Sequence, residues 1–313
     1  MLSSEVAGLL RCPHCGSRLR LDAEGAWCAG ASCGRRYPLV EGVPVLIDEE
    51  RSLFRIADFL ERRPTFFPEH GRLVRLGLER LPQLGATRAS GPNYRRLGAL
   101  LLEEKPAPRV LVIGGSILGS GMEELANTPG VELVETDVAL GPRTALVCDA
   151  HDLPFAPGCF DGVVAQAVLE HVADPYRCVD EIRRVLAPGG LVYAETPFMQ
   201  QAHGGDHDFT RFTRLGHRRL FRGFEEVASG AAGGPGSALA WSYFYFLRSF
   251  VRRPWALGAV QTWARLTAFW LKYLDPLLLR NQKALDAAWG FYFLGRRSER
   301  VLSDRELLAA YPR

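Results

Sequence analysis

In RVLVIGGSILGSG, residues 109–121, a short apolar strand runs directly into a glycine-rich turn. Four more apolar runs of strand length follow it: VELVETDV, TALVCDA, FDGVVAQAV and LVYAETPF. The segment PYRCVDEIRRVL between the last two has helical periodicity, with Asp174 as N-cap and Pro175 at the first helical position. Strands that alternate with helices predict a doubly wound, mostly parallel α/β sheet, whose ligands bind at the carboxyl ends of the strands.

The turn and the end of the second strand predict a ligand that contains a ribose. Glycines between 114 and 121 let the backbone approach a ligand closely, and the helix N-terminus that follows favours an anionic group. Asp137 ends the second strand, where a carboxylate would accept hydrogen bonds from both ribose hydroxyls. Dinucleotide enzymes share these features. GGSILGSG lacks the G-x-G-x-x-G spacing, however, and therefore fits a nicotinamide cofactor poorly.

Three further motifs carry a resemblance. CDAHDLPF (148–155), FDGVVAQAVLEHVADP (160–175) and RRVLAPGGLVYAETP (183–197) resemble, in order and spacing, the class I S-adenosylmethionine-dependent methyltransferases, above all the branch with ubiquinone and menaquinone methyltransferases. The likeness covers roughly residues 106–230 and implies S-adenosylmethionine as cofactor. The residues that it assigns to cofactor binding are Gly114, Gly115, Ser116, Gly119, Asp137, Asp149, Ala150, His151 and Gln166.

The resemblance also implies a role for each of these residues. The three glycines, Ser116 and Gln166 would surround the methionine part, and Asp137 would hold the ribose. Asp149 would contact the adenine amino group, with Ala150 and His151 beside it. The alternative for Asp149 is a solvated carboxylate in a loop. Many such enzymes carry an acidic residue where this chain has Val112, and this departure leaves open a noncatalytic or repurposed protein.

The segment MQQAHGGDHDFTRFT, residues 199–213, follows the fifth strand, where this fold builds its acceptor pocket. Methyl transfer from a sulfonium is an in-line displacement, which needs alignment and, for a hydroxyl acceptor, a base. We predict that His203 or His207 is this base, with Asp206 or Asp208 orienting the ring. A divalent metal bound by the same side chains, or a polar loop that orders itself, are the alternatives. His171 is either a core histidine or part of the site.

Cysteines cluster near the N-terminus. Cys12, Cys15, Cys28 and Cys33 have the spacing C-x2-C-x12-C-x4-C, which predicts a tetrahedral structural zinc site; a metal-free ribbon is the alternative. His14 is redundant as a ligand. LRCPHCGSRL and CGRRYPLVEGVPVLID resemble the zinc-ribbon-like activator subunit of some tRNA and protein methyltransferases, although its second knuckle is usually C-x2-C.

The predicted organisation is a zinc ribbon at 1–50, a linker of short helices at 51–105 and the methyltransferase domain at 106–313. Phe224–Ser229 is predicted to be a sixth strand, and AWGFYFL near the C-terminus resembles the last, antiparallel strand of the methyltransferase sheet. A helical insertion, about 236–285, separates them. It contains aromatic and basic residues, among them Trp255, Arg265, Trp270 and Lys272. The insertion is either a helical cap that packs on the sheet or a surface for an apolar or lipid-linked acceptor.

Composition and charge limit the kinds of binding partner that we expect. The chain has 313 residues and a net charge of +3, which is far from the basic footprint of a dedicated nucleic-acid binder. We find no signal peptide and no run of about 20 apolar residues, and expect a cytoplasmic protein with reduced cysteines. The predicted function is methyl transfer to a hydroxyl or amine of a small molecule such as a sugar, glycolipid or secondary metabolite. The alternatives are an RNA or translation-factor methyltransferase and a noncatalytic protein.

Overall fold

The structure is a computed structural model that describes residues 2–65 and 81–310; the part of the predicted linker from 66 to 80 lies outside the described residues. Its first elements are helix α1 and a small antiparallel sheet around the cysteines. These elements are α1 (Ser4–Leu9), β1 (Leu19–Leu21), β2 (Ala26–Cys28) and β3 (Arg36–Tyr37).

A nine-stranded sheet forms the centre of the molecule. Its strands are β4 (Leu39–Val40), β5 (Val43–Leu46), β6 (Arg109–Ile113), β7 (Glu132–Asp137), β8 (Leu146–Cys148), β9 (Phe160–Gln166), β10 (Leu186–Pro197), β11 (Phe224–Gly233) and β12 (Gly290–Arg297). They lie in the order β11-β12-β10-β9-β6-β7-β8-β5-β4. The six strands from β10 to β5 pair in parallel, and β12 is antiparallel to both of its neighbours. The predicted α/β sheet, mostly parallel with an antiparallel last strand, is confirmed.

Helices cover the sheet. They are α2 (Ile56–Leu60), α3 (Ser90–Glu104), α4 (Glu123–Ala126), α5 (Pro175–Val185), α6 (Arg214–Leu220), α7 (Pro235–Arg248), α8 (Pro254–Ala268), α9 (Asp275–Leu278) and α10 (Asp304–Ala310), with 3-10 turns at Gly205–His207, Phe269–Leu274 and Gln282–Ala287. The insertion between β11 and β12 is helical, as predicted. Among the described residues, no helix combines the length and the apolarity needed to cross a membrane.

Helix α5 shows how local sequence sets an element. The Asp174 side chain accepts hydrogen bonds of 3.1 Å from the backbone N–H groups of Tyr176 and Arg177, which the first turn of a helix leaves unpaired. Pro175 follows at the first helical position, and the buried side chains Val179 and Ile182 point one face at the sheet. The predicted N-cap is therefore confirmed.

The cysteine-rich segment is continuous with the sheet. β4 and β5 form a hairpin within YPLVEGVPVLID, and β5 extends the main sheet by pairing in parallel with β8. Leu10, fully buried, packs in the same apolar core as Phe155. The division at residue 50 stays a prediction; the two segments share one core.

Candidate cofactor and acceptor site

The glycine-rich turn begins directly after β6. Gly114 has φ +75°, a conformation that L side chains rarely adopt, and a Cβ there would come within 2.5 Å of Cγ2 of Val168. The N–H of Gly115 donates a 2.9 Å hydrogen bond to the carbonyl oxygen of Thr136. Strain and space therefore both require glycine at the first position, and the turn is tied to the end of β7.

Asp137 lies at the carboxyl end of β7, facing this turn. Its Oδ2 accepts a 2.9 Å hydrogen bond from the backbone N–H of Ser116, and its Oδ1 accepts one of 3.1 Å from Ala139. Burial raises the pKa of the Asp137 carboxyl, against the effect of these hydrogen bonds. Because a carboxylate offers about four acceptor positions, both oxygens keep capacity for ligand hydroxyls.

Asp149 is buried and already satisfied by the chain. Its Oδ1 accepts from the backbone N–H of His151 and lies 2.6 Å from Nδ1 of that ring, and its Oδ2 accepts from Oγ of Ser52. Burial alone would raise the pKa of Asp149, but the hydrogen bonds have the larger combined effect and lower it. Nε2 of His151 accepts from the N–H of Asp174, which places the ring proton on Nδ1. Ala150 between them is buried. Asp149 is thus no solvated loop carboxylate, and its adenine role stays a prediction.

Gln166 ends β9 beside the glycine-rich turn. Its Nε2 donates to the carbonyl oxygen of Ser120 over 3.0 Å and to Oε2 of Glu195 over 2.8 Å, and its Oε1 accepts from the Tyr94 hydroxyl. A Cβ on Gly119 would come within 2.0 Å of Oε1 of Gln166. The structure therefore brings Gln166 and Gly119 together, and their role beside the methionine part stays a prediction.

Glu195 was missed by the sequence reasoning, whereas helix α3 lies within the predicted linker of short helices at 51–105. Glu195 is 3% exposed, accepts from Oγ of Ser90 and from the Tyr193 hydroxyl, and has a pKa that burial raises. Its signal was a lone acidic residue inside the apolar strand LVYAETPF. Val112, where related enzymes carry an acid, packs instead in an apolar cluster with Tyr94. A buried carboxylate thus lies near the turn, but it comes from β10.

The acceptor segment folds around Asp208. Its Oδ2 accepts from the backbone N–H groups of His203 and Gly204, and both its oxygens accept from the Arg211 guanidinium. Burial opposes ionisation, but these contacts hold the pKa of Asp208 well below its usual range. Asp208 therefore organises the loop, and its nearest oxygen is 3.8 Å from Nδ1 of His203.

The two histidines predicted as bases occupy different surroundings. Nδ1 of His207 pairs with Oδ1 of the exposed Asp206 over 2.8 Å, and its ring stacks on Phe54. His203 instead meets the ring of His171 edge-on, with the ring centroids 5.0 Å apart. Asp206 thus accompanies His207, whose backbone carbonyl oxygen contacts the ring of His171.

Glu170, His171 and His203 form a group in which Glu170 is buried and both histidines are half-buried; the sequence reasoning missed Glu170. One ligand atom of each lies within 4.8 Å of the others, which is compatible with a bound divalent cation. Glu170 is fully buried, neither of its oxygens has a hydrogen-bond partner, and burial raises its pKa to about 8. Burial lowers the pKa of His171 to about 4, and its Nδ1 lies 2.8 Å from the carbonyl oxygen of His207. His171 therefore lies beside His203 and Glu170, and its role in the site stays a prediction.

The four N-terminal cysteines converge as predicted. Their Sγ atoms all lie within 4.8 Å of one another, with 3.4 Å between Cys15 and Cys28 and 3.9 Å between Cys12 and Cys33. Four thiolates about 2.3 Å from a tetrahedral zinc would be separated by about 3.8 Å, so the donor set fits zinc. His14 pairs with Asp48 over 3.1 Å.

Known proteins resemble the central part of this chain. A demethylmenaquinone methyltransferase of Thermus thermophilus is 35% identical over 122 residues, which cover 34% of this chain and 54% of that protein. An uncharacterized 37.1 kDa protein in transposon TN4556 of Streptomyces fradiae is 37% identical over 101 residues, or 32% of this chain and 26% of that protein. The chain thus matches only about a quarter to a half of these relatives' length.

Among solved structures, phosphoethanolamine N-methyltransferase 2 of Haemonchus contortus with bound S-adenosyl-L-methionine aligns with 66% of this chain and 53% of its own, at 16% identity and a TM-score of 0.40. Residues 115–194 match the family described as methyltransferase domain. That segment runs from the glycine-rich turn into β10 and includes Asp137, Asp149 and Gln166. Residues 115–194 are therefore similar to the methyltransferase domains of known proteins.

Proposed function

We propose that this chain transfers a methyl group from S-adenosylmethionine to a small-molecule acceptor. The observation that carries the proposal is the carboxylate of Asp137, held by the N–H of Ser116 against the glycine-rich turn. This carboxylate stands at the carboxyl edge of a parallel sheet, where such folds bind ligands, and it keeps free acceptor positions for the ribose hydroxyls. Gln166 and Gly119 would flank the methionine part of the cofactor. Asp149, Ala150 and His151 would flank its adenine.

The chain's own residues would align the acceptor and move its proton. The cofactor supplies the electrophilic methyl group, and the displacement needs the acceptor atom in line with it. For a hydroxyl acceptor we propose His203 as the base, since its ring meets that of His171 beside the buried Glu170. Asp208 and Arg211 fix the backbone beside His203. A divalent cation at the Glu170, His171 and His203 group is the alternative to a base.

The acceptor proposed here is a bulky, partly apolar small molecule, such as a sugar, glycolipid or secondary metabolite, methylated at a hydroxyl or amine. Two relatives of the matched segment are named for menaquinone and sterol substrates: the Thermus protein above and a cycloartenol-C-24-methyltransferase of rice. The aromatic insertion next to the acceptor loop supports an apolar component. We place the reaction in the cytoplasm, where the cysteines would stay reduced and hold a structural zinc.

A second candidate is methylation of RNA or a translation factor, which the N-terminal cysteine cluster favours. A third is a noncatalytic protein, which the apolar Val112 in the first motif favours. Native mass spectrometry of the purified chain, together with turnover assays, distinguishes the three candidate functions. The main proposal expects co-purified S-adenosylmethionine or its demethylated product, and turnover with small lipophilic acceptors but not with bulk tRNA. Turnover only with RNA would favour the second candidate, and no bound cofactor the third.

A further inference from the structure

The insertion between β11 and β12 has an outer surface that no other described element covers. We call residues 235–285 the aromatic cap. Its inner side packs Ala240 and Phe244 of α7 against Ala264 and Ala268 of α8. Its outer side exposes many large apolar side chains, among them Phe246, Phe250, Trp255, Trp263, Trp270 and Leu277. Soluble surfaces rarely gather so many large apolar side chains in one place.

Helical spacing shows that this exposure is organised. In α8, Trp255, Trp263 and Leu266 are separated by eight and three residues, which places them on one side of a helix that repeats every 3.6 residues. In α7, Leu239 and Phe246 are seven residues apart and share one side in the same way. Each helix therefore has one apolar side packed on its neighbour and a second apolar side open to its surroundings.

The connection between the two helices, RSFVRRPW at 248–255, contains both exposed aromatic side chains and exposed arginines. Phe250 is 73% exposed and Trp255 is 75% exposed, the two highest values among the large apolar side chains described. Arg252 and Arg253 are exposed between them. Among residues 2–65 and 81–310, no carboxylate forms an ion pair with either arginine. The connection thus combines aromatic rings with unneutralised cations.

The charge of the aromatic cap has one sign. The cap holds seven arginines and lysines but a single carboxylate, so its net charge is +6 whereas the whole chain carries +3. That carboxylate, Asp275, is buried and accepts hydrogen bonds from the N–H groups of Gly234 and Gly236 at the start of α7. Asp275 therefore adds no negative charge to the outer surface of the cap.

We infer that the aromatic cap docks on the surface of a membrane that contains anionic lipids, with the connection 248–255 entering the headgroup region. Tryptophan and phenylalanine favour the interface between lipid and water, and arginine is attracted by anionic headgroups at roughly 1 kcal/mol per residue. A protein partner or a second copy of this chain would need a complementary acidic surface, whereas an anionic bilayer supplies negative charge and an apolar layer together.

The cap also contacts the acceptor loop. Oγ of Ser242 accepts a 2.9 Å hydrogen bond from Nε2 of Gln201, and the Tyr245 hydroxyl donates one of 3.0 Å to the carbonyl oxygen of Ala202. His203 follows directly. Docking would therefore bring the acceptor loop close to the membrane, so that a lipid-linked acceptor reaches it from the bilayer. This last step rests on the proposed methyl transfer; the docking itself does not.

Co-sedimentation of the full chain with vesicles tests the docking. We expect binding to vesicles of phosphatidylcholine with phosphatidylglycerol, weak binding to phosphatidylcholine alone, and loss of binding at high salt. Replacing both Phe250→Ala and Trp255→Ala, or both Arg252→Glu and Arg253→Glu, should lower the partition coefficient at least ~10-fold. The matched control replaces Arg305→Glu and Leu308→Ala, two exposed residues of α10, and should bind like the wild type.

Three results would overturn the inference: no binding to anionic vesicles at low salt, equal loss in the α10 control, or equal binding to neutral and anionic vesicles. A dimer that binds no vesicles and dissociates when Phe250 and Trp255 are replaced would identify a second copy as the partner instead. Cofactor binding by the same variants, measured without lipid, should be unchanged. The outcome for docking is therefore distinguishable from that for methyl transfer.

Discussion

The backbone N–H of Ser116 donates a 2.9 Å hydrogen bond to Oδ2 of Asp137. This contact follows from the register of the sheet, since Ile113 of β6 lies opposite Thr136 of β7 in a parallel pair. The two strands end at the same level, and the turn after one meets the last side chain of the other. The relationship places a carboxylate at the glycine-rich turn, which is the geometry that the proposed cofactor requires.

Gly114→Ala should damage this turn more than its conformation alone explains. Gly114 (φ +75°) and Gly42 (φ +80°) share a left-handed backbone, but a Cβ on Gly114 meets Val168, whereas one on Gly42 meets nothing within 4 Å. Gly42→Ala therefore isolates the conformational strain, about 1 kcal/mol of unfolding free energy. We expect Gly114→Ala to lose more stability and to weaken cofactor binding. Equal stability loss and equal cofactor affinity in both variants would contradict this.

His203→Ala should lower turnover on a hydroxyl acceptor by about 10²–10⁴-fold, the usual contribution of a positioned base. His207→Ala is the matched control, because that ring pairs with the exposed Asp206 and should cost less than about tenfold. The measurement is turnover at saturating cofactor, with cofactor affinity determined separately. A loss below tenfold for His203→Ala would reject this base and leave alignment as the source of rate.

The cysteine cluster should bind about one zinc per chain, since four thiols with tetrahedral spacing match the ligand number of structural zinc. Elemental analysis of reduced protein purified without chelator measures this. Cys15→Ser should remove most of the zinc and lower the melting temperature. Cys159→Ser, at a cysteine outside the cluster, should keep the zinc. A zinc content near zero in the wild type would refute the site.

His217 should make stability depend on pH. Burial between Phe212 and Phe221 lowers its pKa from 6.5 to about 3, so the folded chain keeps the ring neutral. Below pH 6.5 the unfolded chain takes up a proton that the folded chain does not, so its contribution to stability is complete above that pH and is lost as the pH falls towards 3. The free energy of unfolding should therefore decrease by up to about 1.4 kcal/mol per pH unit from this group.

Denaturant titrations at several pH values, with His217→Leu as the comparison, measure this contribution. The variant should show a shallower decline between pH 6 and 4 (about 1 kcal/mol less per pH unit), because leucine takes up no proton. Identical slopes for the variant and the wild type would show that the ring is hydrated or already charged in the folded state.

Sequence patterns predicted the elements that depend on local chemistry. The strands after Arg109 were found because each is a short apolar run, and α5 because Asp174 and Pro175 mark its start. The cysteine knuckles were found because the ligand spacing of a metal site is itself local. The last strand, β12, was placed by its likeness to the sheet of related enzymes, and it pairs antiparallel with β10 as expected.

Contacts between distant segments were not predictable in this way. The pairing of β5 with β8 joins residues about a hundred positions apart, and nothing in the sequence near Val45 signals it. Glu170 and Glu195 were overlooked because an acidic residue in a strand or turn is usually solvated, whereas here the fold buries both. The different surroundings of the His203 and His207 rings likewise depend on residues from distant segments, because His203 contacts His171 and His207 contacts Phe54.

Calorimetry of S-adenosylmethionine binding, on the wild type and on Asp137→Ala, is the decisive experiment for the proposed cofactor site. We expect the wild type to bind one cofactor per chain. In the variant, binding should weaken by about 1.5–3 kcal/mol, the scale of hydrogen bonds to a charged group. A wild-type chain that binds no S-adenosylmethionine would refute the proposed methyl transfer, and a variant with unchanged affinity would show that Asp137 does not hold the cofactor.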